Sequence, residues 1–475
     1  MSLAVTAALG AGCGQGGRAT PGTAGVRDPY FPRLGNGGYD VTHYDLTLSW
    51  HPDARKKQLT GVAAITARAT RDLTAFHLDL KGLDIADVTV RDRTAQVNRA
   101  GDEVVIRPRD ELSKGATFRT VVRYSGTPQT ITDPDGSREG WLNTADGALA
   151  LGEPTGSMAW FPGNHHPSDK ATYDLAVTVP DGLEAVSNGE PAGRRTRGGR
   201  TTFRWHTGEP MASYVATLAI GKYDVRTGRT KSGLPVITAV DPVANEAGAR
   251  RDDGGKETKA GSADRELAKI PRIVEWATSR FGPYPFSSTG AVVDRRGDAG
   301  YALETQNRPV FPGTPETGLL VHELAHQWYG DSVTPKSWRD MWLNEGFATY
   351  AEWLWEEDHD GDSAQRTFDA LYRGDYFDRP AENEAIWAFP PAKPPAARNI
   401  SDPPVYERGA MVLHKVREAV GDKAFFRLLK GWARLHRHGN ADTADFIAYA
   451  HETTGKNLDA VWGTWLYGDG KPSHP

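Results

Sequence analysis

Along this chain the spacing of apolar residues changes once, from a period of two to a period near 3.6. The change falls at a polar, glycine-rich stretch, Asp241–Ser262, which reads as a loop. Side chains alternate across a strand and repeat every 3.6 residues on a helix, so this order builds sheets first and helices second. His43–Trp50, Ala63–Ala69, Ala75–Leu80, Val88–Val90, Val104–Ile106, Thr117–Tyr124, Tyr173–Val179, Thr201–Trp205 and Tyr214–Ile220 read as strands. Ala263–Phe281, closed by Gly282-Pro283, reads as a helix. So do Leu319–Tyr329, Trp342–Trp355, Gly409–Val420, Asp422–His436 and Thr443–Thr453. Strands followed by helices predict an α+β chain with a β domain and a helix-rich domain. The expected boundaries are a leader remnant and flexible lead-in over 1–27, a β domain over 28–225 and a helical domain over 226–475. The Gly-, Pro- and Arg-rich composition of the lead-in continues to residue 38.

Composition narrows the function classes. Hydrophobic residues are 38% and charged residues 25%, a soluble globular balance with material for substantial cores. The net charge of -5 offers no basic excess for nucleic acid or an anionic membrane surface. Cys13 is the single cysteine, so no disulfide can form within the chain. It follows Leu3–Gly12, an apolar run like the end of a signal peptide, although Met1-Ser2 carries no positive charge. Cys13 stands where a bacterial lipoprotein carries its lipid, but Gly10 occupies a site where leucine is usual. A lipid anchor at Cys13 and a plain leader with an incidental cysteine both stay open. The run is too short to span a membrane. The expected location is secreted or associated with a bacterial cell envelope.

The strongest chemical signal is His322-Glu323-Leu324-Ala325-His326 within a helix-compatible run. Histidines four apart share one helical face, so both imidazoles can bind one metal ion. Glu323 can reach a water at that metal without ligating it. Glu345 lies 19 residues after His326, at the start of another helical run, and supplies a third ligand. Two histidines and one glutamate leave a fourth zinc position for water, the mark of a catalytic site, where zinc lowers the pKa of water to about 7. The alternative is two surface histidines and an ordinary helical glutamate, which the coincidence of all three elements disfavours.

His322–His326 followed by Glu345 in Asn-Glu-Gly-Phe-Ala resembles the M1 family of zinc aminopeptidases, a gluzincin family. Phe281–Pro285, Trp160-Phe161-Pro162 with Lys170–Tyr173, and Tyr406–Ala410 resemble further family segments. The resemblance runs from about Tyr39 to the C-terminus. It implies an N-terminal all-β saddle-like domain and a thermolysin-like, mainly α-helical catalytic domain, one Zn2+ per chain and peptide substrates. It also implies a short form, because the chain ends near where that catalytic domain usually closes. Ala302-Leu303-Glu304 resembles the exopeptidase motif whose glutamate binds the substrate's α-ammonium. Tyr301, Leu303 and Thr305 replace that motif's Gly, Met and Asn. Tyr406 resembles the tyrosine that stabilises the oxyanion, and Arg408 replaces a lysine. A glutamine that lines the first substrate pocket in many members has its place here near Leu151, and the resemblance assigns no role to Glu153.

Other clusters read more simply. His165-His166 and His436/His438 are expected at the surface and a helix end, and Glu356–Asp362 as a solvated helix end rather than a calcium loop. An endopeptidase, an epoxide hydrolase and a non-enzymatic binding protein are the rival functions. Retention of Glu323 and Tyr406 argues against the last. The preferred N-terminal residue and the oligomeric state are not legible.

Overall fold

Tyr39–His51 shows how the two-residue period becomes architecture. Tyr39, Val41, Tyr44, Leu46, Leu48 and Trp50 point into the core while their neighbours face outward. A bulge between Val41 and His43 accounts for the one step of three. The computed structural model describes residues 19–52, 57–245, 249–251, 257–259 and 262–475. Cys13 and the apolar run before it lie outside the described residues, and among these no helix is long and apolar enough to cross a membrane.

Tyr39–His51 sits within an eight-stranded sheet. It pairs antiparallel with Gln58–Ala69, which pairs with Thr117–Gly126, and parallel with Lys170–Pro180, which pairs with Arg200–Ala212. A five-stranded sheet is ordered Thr130–Thr132, Arg138–Asn143, Ala148–Leu151, Leu218–Gly221, Glu184–Ser187.

The described part of the lead-in is not free. Thr20–Pro21 pairs with Leu73–Asp79, and Thr23–Ala24 pairs with Asn36–Gly37. The buried Asp28 carboxylate accepts hydrogen bonds from the N–H groups of Tyr30, Phe31 and Trp338 and from the Ser337 hydroxyl. This segment therefore ties the β domain to the helical one, a role its Gly- and Pro-rich composition conceals.

The change of sheet falls between Gly221 and Asp224. A further four-stranded sheet follows: Asp224–Arg229, Pro235–Val240, Thr289–Val293 and Val310–Phe311. The period of two missed it because Thr289–Val293 is buried on both faces, and such a strand has no polar alternation.

Nine helices of five or more residues, among the described residues, make up the rest of the helical domain: α1 (Ala263–Leu267), α2 (Ile270–Phe281), α3 (Thr317–Ala325), α4 (Trp342–Asp358), α5 (Ala364–Arg373), α6 (Pro380–Ala385), α7 (Gly409–Val420), α8 (Asp422–Leu435) and α9 (Thr443–Thr454). The segment Ala263–Phe281 is two helices rather than one, because Pro271 occupies the first turn of α2 and cannot continue α1. α3 stops at Ala325, short of Tyr329. Beyond it the N–H groups of Asp331, Ser332 and Val333 close onto the carbonyls of His326, Gln327 and Trp328. Lys170, from the β domain, donates to the Asp331 and Ser332 carbonyls at 2.8 and 3.0 Å.

Candidate metal centre and substrate cavity

α3 carries His322 and Glu323, with His326 as its C-cap, on a helix whose Leu320, Val321 and Leu324 anchor it in the core, so all three polar side chains are held in place and buried. Glu345 lies in the first turn of α4, where a carboxylate is favoured by the helix dipole. The glycine after it, Gly346, packs directly on Gly409, the first residue of α7. A Cβ on Gly346 would stand 2.8 Å from the Gly409 carbonyl carbon, so only two glycines permit this crossing. The contact sets Glu345 opposite Tyr406, which sits in a single π-type turn, Pro404–Arg408, leading into α7.

The three ligand candidates converge. Glu345 Oε2 lies 3.2 Å from His322 Nε2 and 3.4 Å from His326 Nε2. The opposite ring nitrogens are occupied: His322 Nδ1 is 2.7 Å from Glu352 Oε1, and His326 Nδ1 is 3.0 Å from the Tyr329 carbonyl. Those acceptors fix the Nδ1–H tautomer and aim both Nε2 lone pairs at one point, the arrangement of a carboxylate–histidine–metal relay. The donor set fits a divalent ion, for its ligand atoms all lie within 4.8 Å of one another. Burial alone would raise Glu345, but His326 and His322 outweigh it and hold the carboxyl at about 2. Burial would lower His326, yet Glu345 and Glu304 push it up to about 9. The spot is therefore one of negative potential.

Around the three lies a second layer of acid groups. Glu323 is pushed up to about 8, chiefly by burial, and its Oε2 has no hydrogen-bond partner. Glu304 is 3% exposed, so it is no solvated strand end. Its segment is fixed by the paired backbones of Leu303 and Val310, and the Gln327 amide donates to its carbonyl. The replacements at Leu303 and Thr305 leave this placement intact: Leu303 is buried and Thr305 donates to the Arg308 carbonyl. The Tyr406 ring stacks on His322 at 6.1 Å and 14°. Its hydroxyl is raised well above its ordinary value by burial and then by Glu345, Glu153 and Glu304, so it stays a proton donor.

One site residue escaped the sequence reading. Carboxylate oxygens of Glu153, Glu304 and Glu345 lie within 4.8 Å of one another. Burial first, and Glu304 second, raise Glu153 well above the ordinary carboxylate range. Leu151, the position where the resemblance places a pocket glutamine, is fully buried instead. Glu153 follows by two residues, and its signal was only its place in the Gly-Glu-Pro-Thr-Gly turn before Trp160-Phe161-Pro162. Tyr301 donates its hydroxyl to the Glu153 carbonyl at 3.3 Å. All these groups border one cavity of about 930 Å³, which Leu142, Leu319 and Tyr376 also line.

Other expectations change. Arg408 carries its charge away from the site. It is fully buried and donates to the carbonyls of Trp465, Thr464, Gly468 and Phe389. His165 and His166 are buried rather than exposed: His165 contacts the Phe161 carbonyl at 3.0 Å and His166 faces Asp28 at 3.5 Å. They belong to a polar network that ties the lead-in down, which a two-residue motif cannot reveal.

Comparison with known proteins places this geometry. The model of the peptidase M1 N-terminal domain matches residues 40–215, and that of the peptidase family M1 domain matches residues 313–465. Aminopeptidase M1 of Arabidopsis thaliana is 24% identical over 468 residues, which cover 90% of this chain and 50% of that protein. Human glutamyl aminopeptidase is 25% identical over 470 residues, covering 90% of this chain and 46% of that protein. The chain thus spans about half the length of the curated relatives it matches. The crystal structure of an M1 zinc metallopeptidase from Deinococcus radiodurans superposes with a TM-score of 0.82 at 29% identity, covering 95% of this chain and 98% of that one. A variant of that protein, crystallised with a Tyr-Ser-Ala substrate, gives a TM-score of 0.81 at 29% identity, covering 95% of this chain and 99% of that one.

Proposed function

The chain belongs to peptidase family M1, with both its N-terminal domain and its peptidase domain, and from that premise we propose that it is a zinc-dependent aminopeptidase. His322, His326 and Glu345 would hold one zinc ion per chain, with Glu352 and the Tyr329 carbonyl orienting the imidazoles. Bound there, zinc would supply Lewis acidity toward the scissile carbonyl and the attacking water.

The chain's own groups do the rest. Glu153 and Glu304 receive the peptide's α-ammonium, whose charge offsets the two carboxyls brought together there. Glu323, poised near neutrality, accepts a proton from water and hands it to the leaving amine. Tyr406 donates its hydroxyl hydrogen bond to the oxyanion that forms as the carbonyl is attacked. The observation that carries the exopeptidase reading is the cluster of Glu153, Glu304 and Glu345 within 4.8 Å, beside the imidazole pair. A carboxyl pair beside the metal centre is placed to receive the α-ammonium that marks a peptide's N-terminus.

Hydrolysis of leucine p-nitroanilide and of its N-acetyl counterpart by the metal-analysed protein tests this. Turnover of the free amine alone, abolished by 1,10-phenanthroline and restored by zinc, is expected. Equal cleavage of the acetylated substrate would refute the exopeptidase reading, and a zinc-loaded but inert protein would refute the enzyme.

A further inference from the structure

Behind Glu153 stands a second buried carboxyl pair, outside the catalytic groups. Glu139, on Arg138–Asn143, is fully buried. Its Oε1 accepts from the Thr155 N–H at 3.0 Å and from the Thr155 hydroxyl at 2.6 Å, and its Oε2 accepts from the Gly156 N–H at 2.7 Å. These are the two residues that follow Glu153-Pro154. The turn has no slack: a Cβ on Gly156 would overlap the Leu151 carbonyl oxygen and the Gly140 nitrogen. Asp133, also buried, completes the set. Burial and then Glu139 push it up to about 10. Among the described residues no Lys or Arg forms an ion pair with either carboxyl. The Glu139 carboxylate is held by three donors of the turn.

We propose that Glu139 is a positioning residue for the amine subsite, acting through the Gly152–Gly156 turn to set where the Glu153 carboxylate stands. This rests on the reading of Glu153 as an ammonium ligand given above. A charge-assisted bond is short and directional, so a turn displaced by about 1 Å weakens substrate capture even though no reacting group has changed. A residue that merely capped the short 3₁₀ turn Gly156–Ala159 would affect stability alone.

Hydrolysis of leucine p-nitroanilide by the zinc-loaded full chain decides between these in a double-mutant cycle. Glu139→Gln turns an amide N–H toward the Gly156 or Thr155 N–H, so KM should rise about tenfold while kcat stays within about threefold. In a Glu153→Gln background the same substitution should raise KM by less than about twofold, because the group it positions is already gone. Independent, multiplicative effects on KM overturn the proposal. So does a Glu139→Gln enzyme with the wild-type KM and only a lower Tm. Should that variant fail to fold, Thr155→Val, which removes one hydroxyl bond to Glu139, must show the same coupled pattern at about threefold, and an unchanged KM there overturns it equally. Glu153→Gln with the wild-type KM refutes the amine-site reading itself and this proposal with it. A Glu153 effect without coupling to Glu139 refutes the proposal alone.

Discussion

At the scale of single residues, the chemistry depends on groups whose neighbours have moved their proton affinities apart. Glu345 is held ionised at about 2 while Glu323, one helix away, is pushed up to about 8. Two carboxylates in one cavity thereby take different work, ligand and proton carrier. Glu323→Gln should retain the metal by elemental analysis and lose about 10³-fold in kcat. Near-normal turnover would remove it as the base. Tyr406→Phe should lower kcat by about 10²-fold with KM little changed, the split expected of a group that acts only on the transition state. Glu352 touches the metal site only through His322, at 2.7 Å. Glu352→Gln should weaken zinc affinity by about 10- to 100-fold in competition with a chelator, and unaltered affinity would show the imidazole needs no such partner.

At the scale of elements, two glycines matter more than their size indicates. Gly346 and Gly409 face each other where α4 crosses α7; Gly346 follows Glu345 directly, and Gly409 stands three residues after Tyr406. The motif glycine after Glu345 and the one after Arg408 are thus a single contact seen from two helices. Gly346→Ala should cost about 1–3 kcal/mol and lower kcat with it, because the new methyl pries Glu345 away from Tyr406. A fall in Tm without loss of activity would separate the packing from the site. The segment after α3 is fixed in a comparable way, by the Lys170 ammonium from the other domain. Helix periodicity shows α3, α4 and α7 but not these crossings. A period reports which face is buried and says nothing about which element covers it.

At the scale of the whole molecule, the N-terminal segment and the helical domain are fastened by a charge. Burial alone would raise Asp28. Its bonds from His166, the Tyr30 and Phe31 N–H groups and Ser337 outweigh that, holding it at about 2 against the ordinary 3.8. A carboxyl depressed in the folded state adds stability that is present above the unfolded pKa and lost as pH falls through the folded one. The tie should therefore contribute about 2 kcal/mol at neutral pH and fade between pH about 4 and about 2. Asp28→Asn should unfold more readily at pH 7 by that amount, with the gap closing as the medium is acidified through this window. A gap independent of pH would assign the effect to packing.

The order of periods, the His-Glu-x-x-His spacing and the distant Glu345 were local facts of the chain. Helical geometry alone places His322 and His326 on one face, so the fold class and metal-ligand candidates could be read without coordinates. Glu153, the Glu139 clamp, the inward course of Arg408 and the anchored lead-in could not. Each depends on groups brought together by the fold, and many of their partners are backbone carbonyls and N–H groups that carry no sequence signature. Tertiary structure alone decides which of many acidic side chains share one cavity. The cost of burying charge makes that choice, and it is settled only when the domains close on one another.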